Sequence, residues 1–100
     1  MNICVDFDGT ICFTEFNNGA YDIIEFNKAL ILTVNKLYDE GHKIIIYTAR
    51  HWDKMSMTME QVQLSGIKFN LLTMGKPVAD FYIDDRALKP EEFVELFKNN

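Results

Sequence analysis

The sequence predicts an α/β domain built on a mostly parallel sheet flanked by helices. Three observations carry that expectation. Four short apolar runs, at residues 3–5, 43–47, 69–72 and 81–83, are rich in β-branched and aromatic side chains. Segments with apolar residues at helical spacing lie between or after them. One run, "KIIIY" at 43–47, is apolar without alternation, as expected of a strand covered on both faces. Strands alternating with helices make βαβ units, and these make parallel sheets.

The elements follow in order. Residues 1–5 enter a strand directly, without the basic start and apolar core of a signal peptide. Next, "ICFTEFNNGAYDI" at 11–23 offers a loop or hairpin. "DIIEFNKALILTVNKLYDEG" at 22–41 places Ile23, Phe26, Leu30, Val34 and Leu37 at helical spacing, with Gly41 as its stop. A second helix is expected over residues 53–64, closed by Gly66. A third is expected in "KPEEFVELFKNN" at 89–100, where Pro90 and two glutamates suit a first turn. No repeat, linker or low-complexity segment interrupts the chain, so its 100 residues are expected to form one domain.

Composition narrows the function classes. Hydrophobic residues make up 48% of the chain, enough for a core, and eight Phe and four Tyr help fill it. A net charge of −5 weighs against nucleic acid and anionic membranes as partners. No apolar stretch approaches the ~20 residues that cross a bilayer. Cys4 and Cys12 match no disulfide framework, zinc spacing or redox motif, and read as small packing residues. A reduced, cytoplasmic protein is expected.

Ligands of parallel sheets bind beyond the carboxyl ends of the strands. The first strand ends in Asp6-Phe7-Asp8-Gly9-Thr10 and the second in Thr48-Ala49-Arg50. The third is followed by Thr73-Met74-Gly75-Lys76-Pro77, and the fourth ends in Asp84-Asp85-Arg86. Two carboxylates as close as Asp6 and Asp8 oppose each other's ionisation, so either solvent or a cation must relieve them. Asp6, Asp84 and Asp85 supply hard oxygens with no histidine or thiolate beside them, a set that favours magnesium together with a substrate phosphate. Thr10 and Thr48 can donate to phosphate oxygens, and Lys76 adds a fixed positive charge. Arg50 and Arg86 can meet a substrate anion or pair with neighbouring carboxylates. Asp80 is expected to open the fourth strand, and His42 and His51 to lie at the surface.

The strand ends carry four motifs in order. "DFDGT" at 6–10, Thr48 in "IIIYTAR", Lys76 in "GKP" and Asp84-Asp85 in "FYIDDRA" resemble those of the haloacid dehalogenase (HAD) superfamily of phosphohydrolases, over nearly the whole chain. The resemblance implies a small three-layer, Rossmann-like, HAD-like fold. It implies Asp6 as nucleophile and Asp8 as general acid and base. It further implies Thr48 and Lys76 as clamps on the phosphoryl oxygens. The metal set it implies is Asp6, Asp8 (usually through its carbonyl), Asp84 and Asp85, with Asp84 the direct ligand and Asp85 binding through water or supporting Lys76.

Many members of that superfamily carry a cap domain over the substrate. Neither residues 11–23 nor "HWDKMSMTMEQVQLSGIKFN" at 51–70 has room for one, so a capless, open site is expected. Phe13, Phe16, Tyr21 and Trp52 either rim that site or pack in the core. The expected activity is magnesium-dependent hydrolysis of a phosphomonoester through an aspartyl-phosphate, on a phosphorylated sugar or related metabolite. Polynucleotide or protein phosphatase, phosphotransferase or mutase, and non-catalytic phosphate binding are the alternatives. A homo-oligomer, with one subunit bordering its neighbour's open site, is expected as well.

Overall fold

The computed structural model describes residues 1–75, 79–83 and 89–98. Its centre is a parallel four-stranded sheet in the order β5-β4-β1-β6. The strands are β1 (Asn2–Asp6), β4 (Lys43–Tyr47), β5 (Leu71–Thr73) and β6 (Phe81–Ile83). β1 pairs with β4 from Asn2↔Lys43 to Asp6↔Tyr47, and with β6 from Ile3↔Phe81 to Val5↔Ile83. The chain steps outward from β1 to β4 to β5, then returns to the far side of β1. That reversal puts a topological switch point at the carboxyl end of β1, where open α/β sheets bind ligands. Asp80 opens β6 as expected: its carboxylate accepts from the Asn2 N–H at 2.6 Å.

The first predicted helix begins as strand. Residues 20–26 form β3 (Ala20–Phe26), which pairs antiparallel with β2 (Cys12–Asn17) in a hairpin, and α1 spans only Lys28–Asp39. The turn explains the difference. Asn18 at φ 50° and Gly19 at φ 81° give the two positive φ values of a type I′ turn, whose twist matches paired strands. The helix begins where Asn27 caps it, its side chain accepting from the Leu30 N–H at 3.2 Å. It ends as expected at Gly41, whose φ of 97° lets its N–H reach the Tyr38 carbonyl and that of His42 reach Leu37. The second helix is a 3₁₀ turn (Trp52–Lys54) running into α2 (Met55–Ser65), and α3 spans Pro90–Phe97.

One apolar cluster holds these layers together. Ile3, Val5 and Phe7 of the first strand and its exit loop join Ile44, Ile46 and Ile83 on one sheet face. Leu30, Val34 and Leu37 of α1, Val62 of α2 and Phe93 of α3 pack into the same cluster. The opposite face carries Cys4, Ile45 and Tyr47, packed by Ala79 and Tyr82. Among the described residues the helices therefore cover one face. No described helix is long and apolar enough to cross a membrane.

α3 is only eight residues long and cannot hold itself helical in water, so its docking rests on Phe93, which is fully buried. Phe93→Ala should cost about 3–5 kcal/mol of unfolding free energy. It should appear in denaturant titration as a lower midpoint at unchanged slope. A loss below about 1 kcal/mol would mean that α3 does not contribute to the core.

Candidate active site

Alternation along β1 decides where its carboxylates go. Val5 and Phe7 face the helices and are fully buried, so the half-buried Asp6 emerges between them on the other side, at the strand end. The chain then turns tightly. The N–H groups of Thr10, Ile11 and Cys12 all approach the Phe7 carbonyl, at 3.3, 3.0 and 3.2 Å. Gly9 supports the turn with φ 80° and donates its N–H to Cys12 at 2.8 Å. This knot fixes Asp8 directly after Phe7 and brings the start of the hairpin back beside it.

Asp8 is held from both sides. Arg50 grips it bidentately, Nε to Oδ2 at 2.9 Å and Nη2 to Oδ1 at 2.7 Å. The Thr48 hydroxyl donates to Oδ2 at 3.2 Å, and the Thr14 hydroxyl donates to Oδ1 at 3.1 Å. A carboxylate has about four acceptor positions, and here four donors occupy them. The Thr48 hydroxyl also accepts from the Arg50 main-chain N–H at 3.1 Å, which orients it.

Arg50 sits otherwise than a phosphate-binding arginine would. Its side chain is only 1% exposed, and all its described contacts are internal. Besides Asp8, its Nη1 donates to Thr58 Oγ1 at 3.1 Å and to Gln61 Oε1 at 2.7 Å, both on α2. The rings of Tyr21 and Phe7 lie over the guanidinium, with centroids 4.1 and 5.1 Å from its central carbon. Of the two readings open to Arg50, the structure favours the partner of a neighbouring carboxylate. A fully desolvated guanidinium needs such a partner.

Asp6, Asp8 and Thr48 thus meet at the ends of β1 and β4. Thr10 is completely buried, and its hydroxyl has no hydrogen-bond partner among the described residues, so it does not open onto the cleft. Lys76, Asp84, Asp85 and Arg86 lie outside the described residues. Of the aromatic rim candidates, Phe13, Phe16 and Trp52 are exposed, whereas Tyr21 covers Arg50. Sequence reasoning missed Thr14, Thr58 and Gln61. Thr58 had a signal, being a polar residue one turn before the buried Val62 on the core-facing side of α2; Gln61 and Thr14 had none.

The field of the carboxylates registers on a neighbour. Burial first, then the negative charges of Asp8 and Asp6, push the Cys12 thiol up to about 12, with Arg50 opposing them. Cys12 is therefore a protonated packing residue and no soft metal ligand. Among the described residues no cluster of three or more His, Cys, Asp or Glu could hold a metal. The described oxygens fit magnesium only as part of a set. Asp6 offers a carboxylate and Asp8 its carbonyl, while the Asp8 side chain is committed to Arg50.

A family model described as haloacid dehalogenase-like hydrolase matches residues 3–99. The chain belongs to that family. A solved structure, titled as that of a conserved protein coded by a locus from Bacteroides thetaiotaomicron, is 26% identical with a TM-score of 0.71. The match covers 98% of this chain and 89% of that one. No curated protein matches the sequence. As a member of this family the chain is a hydrolase of the HAD type, on a parallel sheet flanked by helices.

Cys12 gives the site a pH signature. Folding raises its pKa from 9.0 to about 12, so its stabilising contribution is complete below pH 9.0 and is lost as pH rises through 12. Between those values Cys12→Ala should lose less stability than the parent chain in parallel denaturant titrations. Parallel losses would show that the thiol ionises as readily folded as unfolded.

Proposed function

We propose that the chain is a magnesium-dependent phosphomonoesterase that passes the phosphoryl group through Asp6. The observation that carries this reading is the meeting of Asp6, Asp8 and Thr48 at the switch point beside β1. Asp6 Oδ attacks phosphorus, the bond from phosphorus to the ester oxygen breaks, and Asp8 gives that oxygen a proton. Water then attacks the aspartyl-phosphate, Asp8 takes a proton from it, and phosphate leaves as the Asp6 carboxylate reforms. Magnesium, held by Asp6, the Asp8 carbonyl and the Asp84-Asp85 pair, would neutralise charge on the phosphoryl oxygens. Lys76 would add a second positive charge there.

Asp8 can carry a proton only if one of its four donors leaves. Thr48 is the candidate, because its one hydroxyl proton is also the one offered to a phosphoryl oxygen in this reading, whereas Thr14 belongs to the hairpin. A phosphoryl oxygen that takes this hydrogen bond vacates a position on Asp8 Oδ2. Substrate binding and the readiness of the acid are then linked through one hydroxyl. The acidic chain supports a small phosphorylated metabolite, a sugar phosphate or related ester, over a polynucleotide.

Hydrolysis of an aryl phosphate should stop with chelator, return with magnesium, and stay low with calcium, whose looser and larger coordination misplaces Asp6. Full activity in chelator would remove the metal from this reading. The two carboxylates should also separate. Asp6→Asn should abolish turnover and phosphoenzyme on every ester. Asp8→Asn should lose ~10²–10⁴-fold on an alkyl phosphate and less on an aryl phosphate, whose leaving group needs less protonation. Equal losses of Asp8→Asn on both esters would refute its role.

A further inference from the structure

The hydrogen bonds around Arg50 continue beyond it. Its Nη1 ends on Gln61 Oε1 at 2.7 Å, and Gln61 Nε2 in turn donates to the Tyr21 carbonyl on β3 at 2.6 Å. Tyr21 closes the circuit by laying its ring over the same guanidinium. One glutamine side chain thus joins α2, the hairpin and the arginine that grips Asp8. Four of the five guanidinium N–H groups are spent in this way, two on Asp8 and one each on Thr58 and Gln61.

We infer that Arg50 and Gln61 are positioning residues for Asp8, through which the β2–β3 hairpin sets where the acid and base stands. This rests on the phosphatase reading, in which Asp8 handles the proton. Three features of the geometry carry it. Arg50 has almost no exposed surface, so it has no face to offer a substrate. Its fork fixes both the distance and the plane of the Asp8 carboxylate, which a single contact would not. Among the described hydrogen bonds Gln61 makes none to Asp8, so any effect it has on the proton steps must pass through Arg50 or through the hairpin it holds.

The hairpin's part follows from the same bonds. Tyr21 stands opposite Phe16 in the register, with ring centroids 4.7 Å apart, and Phe16 is 61% exposed. Thr14, two residues before Phe16 on the same strand, donates to Asp8 directly. A substrate that presses on the hairpin tip therefore meets an element tied to Asp8 twice, by Thr14 and by Gln61 through Arg50. Among the described elements, the hairpin is the one placed to couple substrate contact to the acid.

Gln61→Met keeps the volume and removes both hydrogen bonds, while Gln61→Glu keeps the oxygen that Arg50 uses. On an alkyl phosphate Gln61→Met should lower kcat about 10- to 100-fold, the scale of a misplaced catalytic group, with KM within about twofold. On an aryl phosphate the loss should be several times smaller, and Gln61→Glu, which keeps the bond to Arg50 but not the one to the Tyr21 carbonyl, should recover only part of it on either ester. A purely structural glutamine would lose equally on both esters in step with thermal stability, and that result overturns the inference. A rise in KM at unchanged kcat overturns it too, since Arg50 would then be binding substrate. The Arg50 Nε–H proton signal in nitrogen-15 NMR reads the same network without turnover. It should be protected from solvent exchange in the parent chain and become exposed in Gln61→Met. If neither ester is hydrolysed by the parent chain, the phosphatase reading fails, and this signal decides the positioning. A signal that exchanges freely in the parent chain overturns it, and one that Gln61→Met exposes supports it.

Discussion

A guanidinium taken out of water must be paid for in contacts, and Arg50 shows where this molecule finds them. Its partners come from each part of the chain near the site: Asp8 after β1, Thr58 and Gln61 on α2, and the rings of Phe7 and Tyr21. Removing one partner of such a pair costs roughly 3–5 kcal/mol, because the other charge is left buried and alone. The contacts are therefore mutually dependent. The hairpin covers Arg50 because Arg50 is there, and Arg50 stays because the carboxylate ahead of the hairpin holds it.

Arginine is required at this position by the count and plane of its donors. Two parallel N–H groups meet the two Asp8 oxygens, and Nη1 faces away toward α2 for Thr58 and Gln61. A lysine offers three donors from one point and cannot span acceptors at different edges of a planar group. Its ammonium is also more strongly hydrated, so burial against Tyr21 and Phe7 would cost more. The flat, weakly hydrated guanidinium is suited to lie under two rings, and the site exploits this shape as much as its charge.

The strands and helix ends were legible in the sequence because each depended on local chemistry. "KIIIY" is apolar whichever partner it pairs with, and Gly41 and Gly66 stop helices through their own freedom at positive φ. The hairpin was hidden by coincidence of pattern. Ile23 and Phe26 continue the spacing of Leu30, Val34 and Leu37, so a helical period runs unbroken across the Asn27 cap. Asn18-Gly19 carried the opposing signal, and turn chemistry outweighed the period. At the site, the nature of the carboxylates and of Thr48 was readable because strand ends fix their location. Which partner Arg50 would choose was not. That depends on α2 and β3 arriving on either side of it, and no spacing along the chain encodes a meeting of residues 8, 21, 50 and 61.

The pairing also changes the electrostatic question that Asp6 and Asp8 raise. Two carboxylates separated by one residue would repel, and a cation between them is one remedy. Here Asp8 already has a cation, supplied by the protein at 2.7 Å and shielded from water. The carboxylate, when ionised, is compensated by the protein itself, with or without a bound metal. The two aspartates become unlike through their surroundings alone: one is fixed among four donors in the protein wall, and the other stands at the strand end beside the switch point. Such a division lets adjacent, chemically identical groups take different tasks. The protein-borne cation holds Asp8 in place, so the surroundings of the two carboxylates differ within the fold itself.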